Sequence, residues 1–208
     1  IFSLEMSKEQ LVNRLFAMES MVSSQNIRTG NLSDKEWEKL IEGATAVGNS
    51  RIIIDDTGSI SISELRSKCR KFKLEHGLDM IMIDYLQLMT GSGKSDSRQQ
   101  EVSDISRSLK ALARELNVPV IALSQLSRKV EERPDHRPMM SDLRESGAIE
   151  QDADVVMFLG KRNDDEEGEG NNMIDLIVAK HRSGSTGKMG LMWKPQYTTF
   201  MSVDTTHE

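Results

Sequence analysis

The sequence has 208 residues, of which 29% are charged and 37% are hydrophobic. This composition is typical of one sizeable folded domain, or at most two small ones, and it excludes a disordered chain. The net charge of −6 excludes a basic coat over the whole surface, although a few well-placed cations could still bind nucleic acid. The single cysteine excludes an internal disulfide and a cysteine-based zinc site. No apolar run approaches the roughly 18 residues of a membrane-spanning helix, so we expect no membrane span, and the lone cysteine indicates a cytoplasmic protein.

Short apolar runs alternate with amphipathic stretches along the chain. The middle runs are nearly continuous in Ile, Val, Leu and Met, which is typical of strands buried on both faces of a parallel sheet. The predicted strands are Ile1–Leu4, Ile52–Ile54, Met80–Ile83, Val118–Leu123, Asp154–Leu159 and Met173–Ala179. Apolar residues spaced three and four apart predict helices between these strands, at Leu11–Val22, Ile62–Phe72 and Val102–Leu116.

The alternation of strands and helices predicts an α/β fold with right-handed crossovers. Three helices are expected to open with a capping box, in which a serine is followed three residues later by Glu or Gln; these serines are Ser7, Ser33 and Ser61. Near the end of the chain, Met189–Trp193 and Phe200–Val203 predict an antiparallel hairpin at the edge of the sheet. Loops are predicted at Thr90–Arg98, Ser127–Pro138 and Arg162–Asn172, and the last of these is strongly acidic.

Polar residues follow several of the predicted strands. They are Glu5, Asp55, Asp56, Asp84, Gln125 and Lys180. Ligands of open parallel sheets bind beyond the carboxyl ends of the strands, so several such residues together indicate a site. Met80–Asp84 matches a Walker B pattern, in which a buried strand delivers a carboxylate that holds Mg²⁺ beside a nucleotide. Ile52–Asp56 matches the same pattern equally well, so the pattern alone does not choose between them.

The sequence contains no phosphate-binding loop of the form G-x-x-x-x-G-K-[ST]. Gly91–Ser95 comes near it, but the first glycine of the motif would fall at Leu88. These residues alone are therefore expected not to hold a nucleotide tightly. Because the sequence lacks an initiator methionine and opens inside a predicted strand, we expect a fragment.

Five segments in chain order resemble the C-terminal, RecA-like motor domain of bacterial replicative DNA helicases of the DnaB family. They are Phe2–Met6, Ile83–Leu88, Ala122–Arg128, Ser141–Asp154 and Ala179–Gly184. The resemblance extends over nearly the whole chain, and the long fourth segment makes it specific. It implies one domain over residues 1–208, truncated on its N-terminal side before the Walker A motif. The implied fold is a RecA-like P-loop NTPase core, with a mainly parallel sheet flanked by helices and an antiparallel edge hairpin.

The resemblance also implies roles for the residues at the strand ends. Glu5 would activate the water that attacks ATP, and Asp84 would be the Walker B aspartate that holds Mg²⁺, directly or through water. Gln125 would sense the γ-phosphate. Lys180 and Arg182 would reach the nucleotide of the neighbouring subunit, where an arginine stabilises charge on the transferring phosphoryl group.

Further residues, most of them basic, match positions that contact nucleotide or DNA in that family. Arg14 would lie near the phosphates, although a surface salt bridge is the alternative. Arg144, Glu145 and Gly147 would follow the phosphate backbone of single-stranded DNA, with main-chain N–H groups as donors at the last two. Two more candidates for the DNA channel lie in the Gly/Ser-rich loop, which could equally be a surface segment; they are Lys94 and Arg98.

The function implied by the resemblance is an ATP- and Mg²⁺-dependent helicase that works as a homohexamer on single-stranded DNA at the replication fork. Primase and a helicase loader are the other implied partners, and the fragment alone is expected to be inactive. One alternative is another RecA-like ATPase, such as a recombinase or a RadA- or KaiC-type protein. A second is a non-catalytic assembly module. A third is an acidic interaction protein built around Asp164–Glu169.

Overall fold

The structure is a computed structural model that describes residues 1–91, 97–162 and 172–203, with the backbone alone at 144–148. The helices in chain order are α1 (Lys8–Ser20), α2 (Ser24–Thr29), α3 (Asp34–Gly48), α4 (Ile62–His76), α5 (Arg98–Leu116) and α6 (Gly147–Asp152). Short 3₁₀ helices lie at Leu86–Leu88, Arg128–Val130, Met140–Ser146 and Pro195–Tyr197. No helix in the described ranges is both long and apolar enough to cross a bilayer.

Two sheets are formed by the strands β1 (Phe2–Ser3), β2 (Ile81–Asp84), β3 (Val120–Ala122), β4 (Val155–Lys161), β5 (Met173–His181), β6 (Gly187–Lys194) and β7 (Thr199–Ser202). The first sheet is parallel, in the order β1-β2-β3. The second is antiparallel, in the order β4-β5-β6-β7. The predicted α/β class and the terminal hairpin are therefore confirmed, with β6 and β7 joined by the turn at Pro195–Tyr197.

The chain divides into two compact units. The first unit consists of Ile1–Met6, Ile53–Met157 and Val178–Thr186, and it holds the parallel sheet. The second unit consists of Ser7–Ile52, Phe158–Ile177 and Gly187–Glu208, and it holds α1, α2 and α3.

The apolar core of the first unit is formed mainly by side chains of β1, β2, α4 and α5. The predicted apolar face of α5 is completely buried in this core. Its residues are Val102, Ile105, Leu109, Leu112 and Leu116. Cys69 on α4 is also completely buried, and this burial raises the pKa of its thiol to about 11. The cysteine is therefore a core residue rather than a reactive thiolate.

In the second unit, α1 packs against α3 through small residues. Ala17 and Ser20 of α1 are buried, and Gly43 of α3 lies directly against Ser20. The apolar spacing had predicted that Met18 belongs to the buried face and that the helix reaches Val22. Instead Met18 is 41% exposed, because small side chains let the two helices approach closely along another face. The helix ends at Ser20, where the next residue, Met21, adopts a left-handed conformation (φ 52°).

Two strand predictions differ from the structure. Ile52–Ile54 forms no strand, and only an isolated bridge joins Phe2 to Asp55. The run at Val155–Lys161 is a strand, but its side chains alternate strictly between exposed and buried. That pattern is typical of an antiparallel sheet with one covered face, so the continuous apolar run did not indicate a parallel strand here.

The capping boxes at Ser7 and Ser33 are present in full, with both reciprocal hydrogen bonds. At Ser61 only half of the predicted box forms, in which the Ser61 hydroxyl accepts a hydrogen bond from the Glu64 main-chain N–H.

Candidate nucleotide and DNA site

The register of the parallel sheet brings three predicted site residues to one edge. Ser3 pairs with Asp84, and Ile83 pairs with Ala122, so β1, β2 and β3 end next to one another. Main-chain hydrogen bonds continue this alignment beyond β1 and β3, from Leu4 N to Asp84 O (2.7 Å) and from Leu123 N to Ile83 O (2.9 Å). Asp84 is the last residue of β2, Glu5 lies two residues beyond β1, and Gln125 lies three residues beyond β3.

The two acidic residues at this edge keep their carboxylates available. Glu5 is exposed and Asp84 is partly buried, and neither side chain has a hydrogen-bond or ion-pair partner among the described residues. Mg²⁺ is usually bound through one or two carboxylates together with water and substrate phosphates. A strand-end carboxylate with free oxygen atoms is therefore a chemically suitable ligand, and Asp84 fits a magnesium–nucleotide complex.

Asp55 differs from Asp84 in this respect, although their sequence patterns match equally well. Its carboxylate forms an ion pair with Lys68 at 2.8 Å and accepts hydrogen bonds from the main-chain N–H and hydroxyl of Thr57. Burial alone would raise the pKa of Asp55, but these bonds hold it below its ordinary value. The Asp55 carboxylate is thus occupied by Thr57 of its own turn and by Lys68 of α4, and Asp84 is the available carboxylate of the two.

Gln125 is held by the residues that follow β2. The side-chain amide of Gln87 donates to the main-chain oxygen of Gln125 and accepts from its main-chain N–H, both at 3.2 Å. The same amide donates to the Ser124 hydroxyl at 2.9 Å. The loop that carries the predicted γ-phosphate sensor is therefore fixed to the segment that follows Asp84.

The basic pair at the end of β5 is bound to the segment around α6. Lys180 donates to the main-chain oxygens of Glu150 (2.5 Å) and Gln151 (3.4 Å), in the last turn of α6. The Arg182 guanidinium lies 3.5 Å from the Asp154 carboxylate, and the Arg182 N–H donates to the Asp154 main-chain oxygen at 2.8 Å. The Arg182 side chain nevertheless stays 54% exposed, so it is accessible to another molecule.

Asp154 also contacts Lys110 of α5. This contact, followed by weaker attraction from Arg182, holds the pKa of Asp154 below its ordinary value. The carboxylate is therefore charged at neutral pH and joins α5 to the predicted arginine finger.

The predicted DNA-binding residues occupy different surroundings. Arg98 is the first residue of α5, and its guanidinium contacts the main-chain oxygens of Gln87 and Met89 as well as the Glu101 carboxylate. Lys94 lies outside the described residues, as does the acidic segment Asp164–Glu169.

The backbone of Arg144 and Glu145 is 3₁₀-helical, and Gly147 is the first residue of α6. This stretch is therefore helical rather than an open loop. Arg14 is exposed on α1, in the second unit, and forms no ion pair with the described residues.

Sequence reasoning assigned no role to three residues that the structure places next to the candidate site. Gln87 and Asp154 both lie in segments that carry the family resemblance, which was the available signal, but their contacts depend on turn geometry. Asp142 is 4% exposed and is bound by Arg133 through both carboxylate oxygens, at 2.8 and 2.5 Å. It lies two residues before Arg144.

Comparison with known proteins identifies the family. Residues 1–202 match the model of the DnaB-like helicase C terminal domain. The chain belongs to this family. It is 57% identical over 207 residues to the replicative DNA helicase DnaC of Bacillus subtilis (strain 168), and 56% identical over 207 residues to the replicative DNA helicase DnaB of Geobacillus stearothermophilus. Each match covers 98% of this chain and 45% of the relative, so the chain spans about half the length of these curated relatives.

Solved structures of related proteins have the same fold. One solved ATPase domain superposes with a TM-score of 0.91 at 43% identity, covering 98% of this chain and 73% of that one. A DnaB-like replicative helicase, studied with its interactions with primase, also gives a TM-score of 0.91 at 43% identity, covering 98% of this chain and 50% of that one. The expected RecA-like fold and the resemblance to the DnaB family are confirmed.

Proposed function

We propose that this chain forms part of the ATP-hydrolysing motor domain of a replicative DNA helicase, and that these residues alone are inactive because they lack a phosphate-binding loop. The observation that supports the proposal is the parallel register of β1, β2 and β3, whose adjacent ends carry or precede Glu5, Asp84 and Gln125 in a chain of this family. Two carboxylates with free oxygen atoms and one amide are among the groups that ATP hydrolysis uses beside the phosphates.

Each residue at the edge has a distinct proposed task. Asp84 would hold Mg²⁺, which would supply positive charge beside the nucleotide phosphates. Glu5 accepts a hydrogen bond or a proton from the attacking water, since its exposed carboxylate has no competing partner among the described residues. The amide of Gln125 donates a hydrogen bond towards the γ-phosphate, and Arg14 is a further candidate for phosphate contact.

Lys180 and Arg182 are proposed to serve the nucleotide of a neighbouring subunit. Arg182 remains half exposed within its own chain, and an arginine supplied in trans stabilises the charge that develops during phosphoryl transfer. This arrangement makes hydrolysis depend on assembly, so we propose a homohexameric ring as the active form.

Single-stranded DNA is the proposed track of the motor. Arg144 supplies positive charge, and the main-chain N–H groups of Glu145 and Gly147 supply donors for phosphate oxygens. Lys94 and Arg98 remain candidates for the same channel. To reach DNA, Arg98 would have to exchange its present contacts with two main-chain oxygens and one carboxylate. Aromatic residues make up only 4% of the sequence, which suits binding without base preference.

Primase and a helicase loader are further proposed partners. Primase is the better supported of the two, because a structural relative with 43% identity was studied with its interactions with primase. The proposed location is the bacterial cytoplasm, at replication forks on the nucleoid.

Unwinding of a forked duplex by the full-length protein tests the proposed function. We expect ATP hydrolysis that single-stranded DNA stimulates, and strand separation that requires both ATP and Mg²⁺. Replacing Glu5 by Gln should lower the hydrolysis rate by roughly 10²- to 10⁴-fold, because the water loses its general base. The matched control is Glu9→Gln, on the exposed surface of α1, which should leave the rate unchanged.

DNA-stimulated hydrolysis without unwinding would favour another RecA-like ATPase. Absence of any ATP hydrolysis by the full-length protein would favour a non-catalytic module instead.

A further inference from the structure

Main-chain hydrogen bonds between the β2 and β3 segments stop before Gln125, the predicted γ-phosphate sensor. The last backbone bonds that join the two segments run from Leu123 N to Ile83 O and from Leu86 N to Leu123 O, both at 2.9 Å. After Asp84 the chain turns into the 3₁₀ helix at Leu86–Leu88 and no longer runs beside β3. Gln125 would therefore be left without a backbone partner from β2.

The side chain of Gln87 takes the place of that missing backbone. A primary amide offers one acceptor and two donors, so it can pair with a peptide group as another strand would. Oε1 accepts from the Gln125 N–H, and Nε2 donates to the Gln125 carbonyl oxygen and to the Ser124 hydroxyl. Both ends of the amide are thus directed at the residues around the sensor.

Gln87 is itself fixed by its neighbours. Its main-chain oxygen accepts a hydrogen bond from Arg98, which also donates to the Met89 oxygen at 3.3 Å. Leu86 and Met89 on either side are 3% and 1% exposed, so the turn is anchored in the core of the first unit. A side chain that extends from such an anchored turn can hold Gln125 in one position.

We propose that Gln87 is a positioning residue for Gln125, and that it couples the sensor to the turn after Asp84. This inference rests on the proposed function, because it assumes that Gln125 acts on the γ-phosphate. Gln87 itself is assigned no contact with nucleotide or DNA. It fixes the main chain of Gln125, and therefore the direction in which the Gln125 amide points.

The test compares variants of the full-length protein in steady-state ATP hydrolysis, with and without single-stranded DNA. Gln87→Met keeps the length of the side chain but removes all three hydrogen bonds. We expect the DNA-stimulated kcat to fall by about ten- to a hundredfold, since small misplacements of a catalytic group cost rate on this scale. The KM for ATP and the thermal unfolding temperature should stay close to wild type.

Two further variants separate positioning from a general structural effect. Gln87→Met combined with Gln125→Met should be no slower than Gln125→Met alone, because residues that act as one unit are not additive. The matched control is Gln25→Met, an exposed glutamine on α2 whose side chain accepts a hydrogen bond from Arg28 at 2.6 Å. Its hydrolysis should equal that of wild type.

Three results would overturn the inference while leaving the proposed function intact. These are normal DNA-stimulated kcat in Gln87→Met, a double variant whose losses multiply, and a loss of rate that merely follows a lowered unfolding temperature. If the wild type itself shows no DNA-stimulated hydrolysis, the proposed function fails, and the inference fails with it.

Discussion

Asp142 is a buried carboxylate at the start of the segment that carries the proposed DNA-binding residues. Besides the two contacts with Arg133, it accepts a hydrogen bond from the Met139 N–H at 2.7 Å. Its own main-chain oxygen accepts from the Ser127 N–H at 3.1 Å. One residue thus ties the stretch that follows Gln125 to the stretch that precedes Arg144.

Replacing Asp142 by Asn should destabilise the chain by about 1–3 kcal/mol, because the partly buried Arg133 guanidinium loses its charged acceptor. The loss should lie in the lower part of this range. The Arg133 side chain is 25% exposed, so water can partly replace the lost carboxylate. Urea unfolding of the chain measures the difference. Asp135→Asn is the matched control, because Asp135 lies 4.0 Å from the same arginine but is 55% exposed.

The pH dependence of that difference gives a second check on the same variant. Hydrogen bonds from Arg133 hold the pKa of Asp142 below its ordinary value. A carboxylate whose pKa is lowered by folding stabilises the fold fully when the pH is above its pKa in the unfolded chain, about 3.9. This stabilisation is lost as the pH falls through the lower pKa of the folded state. The gap between wild type and Asp142→Asn should therefore be constant near neutral pH and shrink below about pH 4. A gap that is unchanged at low pH would contradict the ion-pair explanation.

At the scale of elements, the contact of α1 with α3 depends on a glycine. A Cβ atom added at Gly43 would lie 2.9 Å from both the Cβ and the main-chain N of Ser20. Contacts this short force a backbone or side-chain shift, and overpacking of this kind costs about 1–3 kcal/mol.

We therefore expect Gly43→Ala to lower the free energy of unfolding, although alanine favours a helix by up to about 1 kcal/mol over glycine. Gly48→Ala in the same helix is the control, because no heavy atom lies within 4 Å of its added Cβ. That variant should be neutral or slightly more stable. Urea midpoints that coincide for the two variants would show that α1 and α3 do not pack as closely as described.

Sequence patterns predicted elements well where one local signal determines the structure. The three- and four-residue spacing in α5 and the capping boxes of α1 and α3 act within single helices, so the sequence alone was enough to predict them. The predicted strands Ile52–Ile54 and Asp154–Leu159 were assigned less accurately, because an apolar run does not reveal how many strands it pairs with or in which direction. Met18 was misjudged because small residues, rather than the largest apolar ones, form the contact with α3.

In the candidate site, too, local sequence signals were predictable and tertiary contacts were not. Glu5, Asp84 and Gln125 were predicted from their positions at strand ends, and the register of the sheet shows that β1, β2 and β3 end next to one another. Gln87 and Asp154 could not be assigned roles, because their contacts depend on a 3₁₀ turn and on where β4 and β5 begin and end. Those features arise from tertiary packing rather than from local preference.

At the scale of the whole molecule, the first unit presents two complementary groups of residues. One is the sheet edge with Glu5, Asp84 and Gln125, and the other is the end of β5 with Lys180 and Arg182. In the proposed ring, the first group of one subunit is completed by the second group of its neighbour. A subunit that lacks one group can therefore still contribute the other.

Mixing two inactive variants of the full-length protein tests this claim most directly. Glu5→Gln removes the base but keeps the arginine, whereas Arg182→Ala removes the arginine but keeps the base. Each variant alone should hydrolyse ATP slowly, with the arginine worth roughly 10³-fold or more. Native mass spectrometry first establishes that the two variants share rings.

In mixed rings, some interfaces combine an intact Glu5 with an intact Arg182 from the adjacent subunit. We predict that ATP hydrolysis then rises clearly above the level of either variant alone. Mixed rings that remain as inactive as the separate variants, or an Arg182→Ala variant that is fully active alone, would contradict the proposed sharing of the site between subunits.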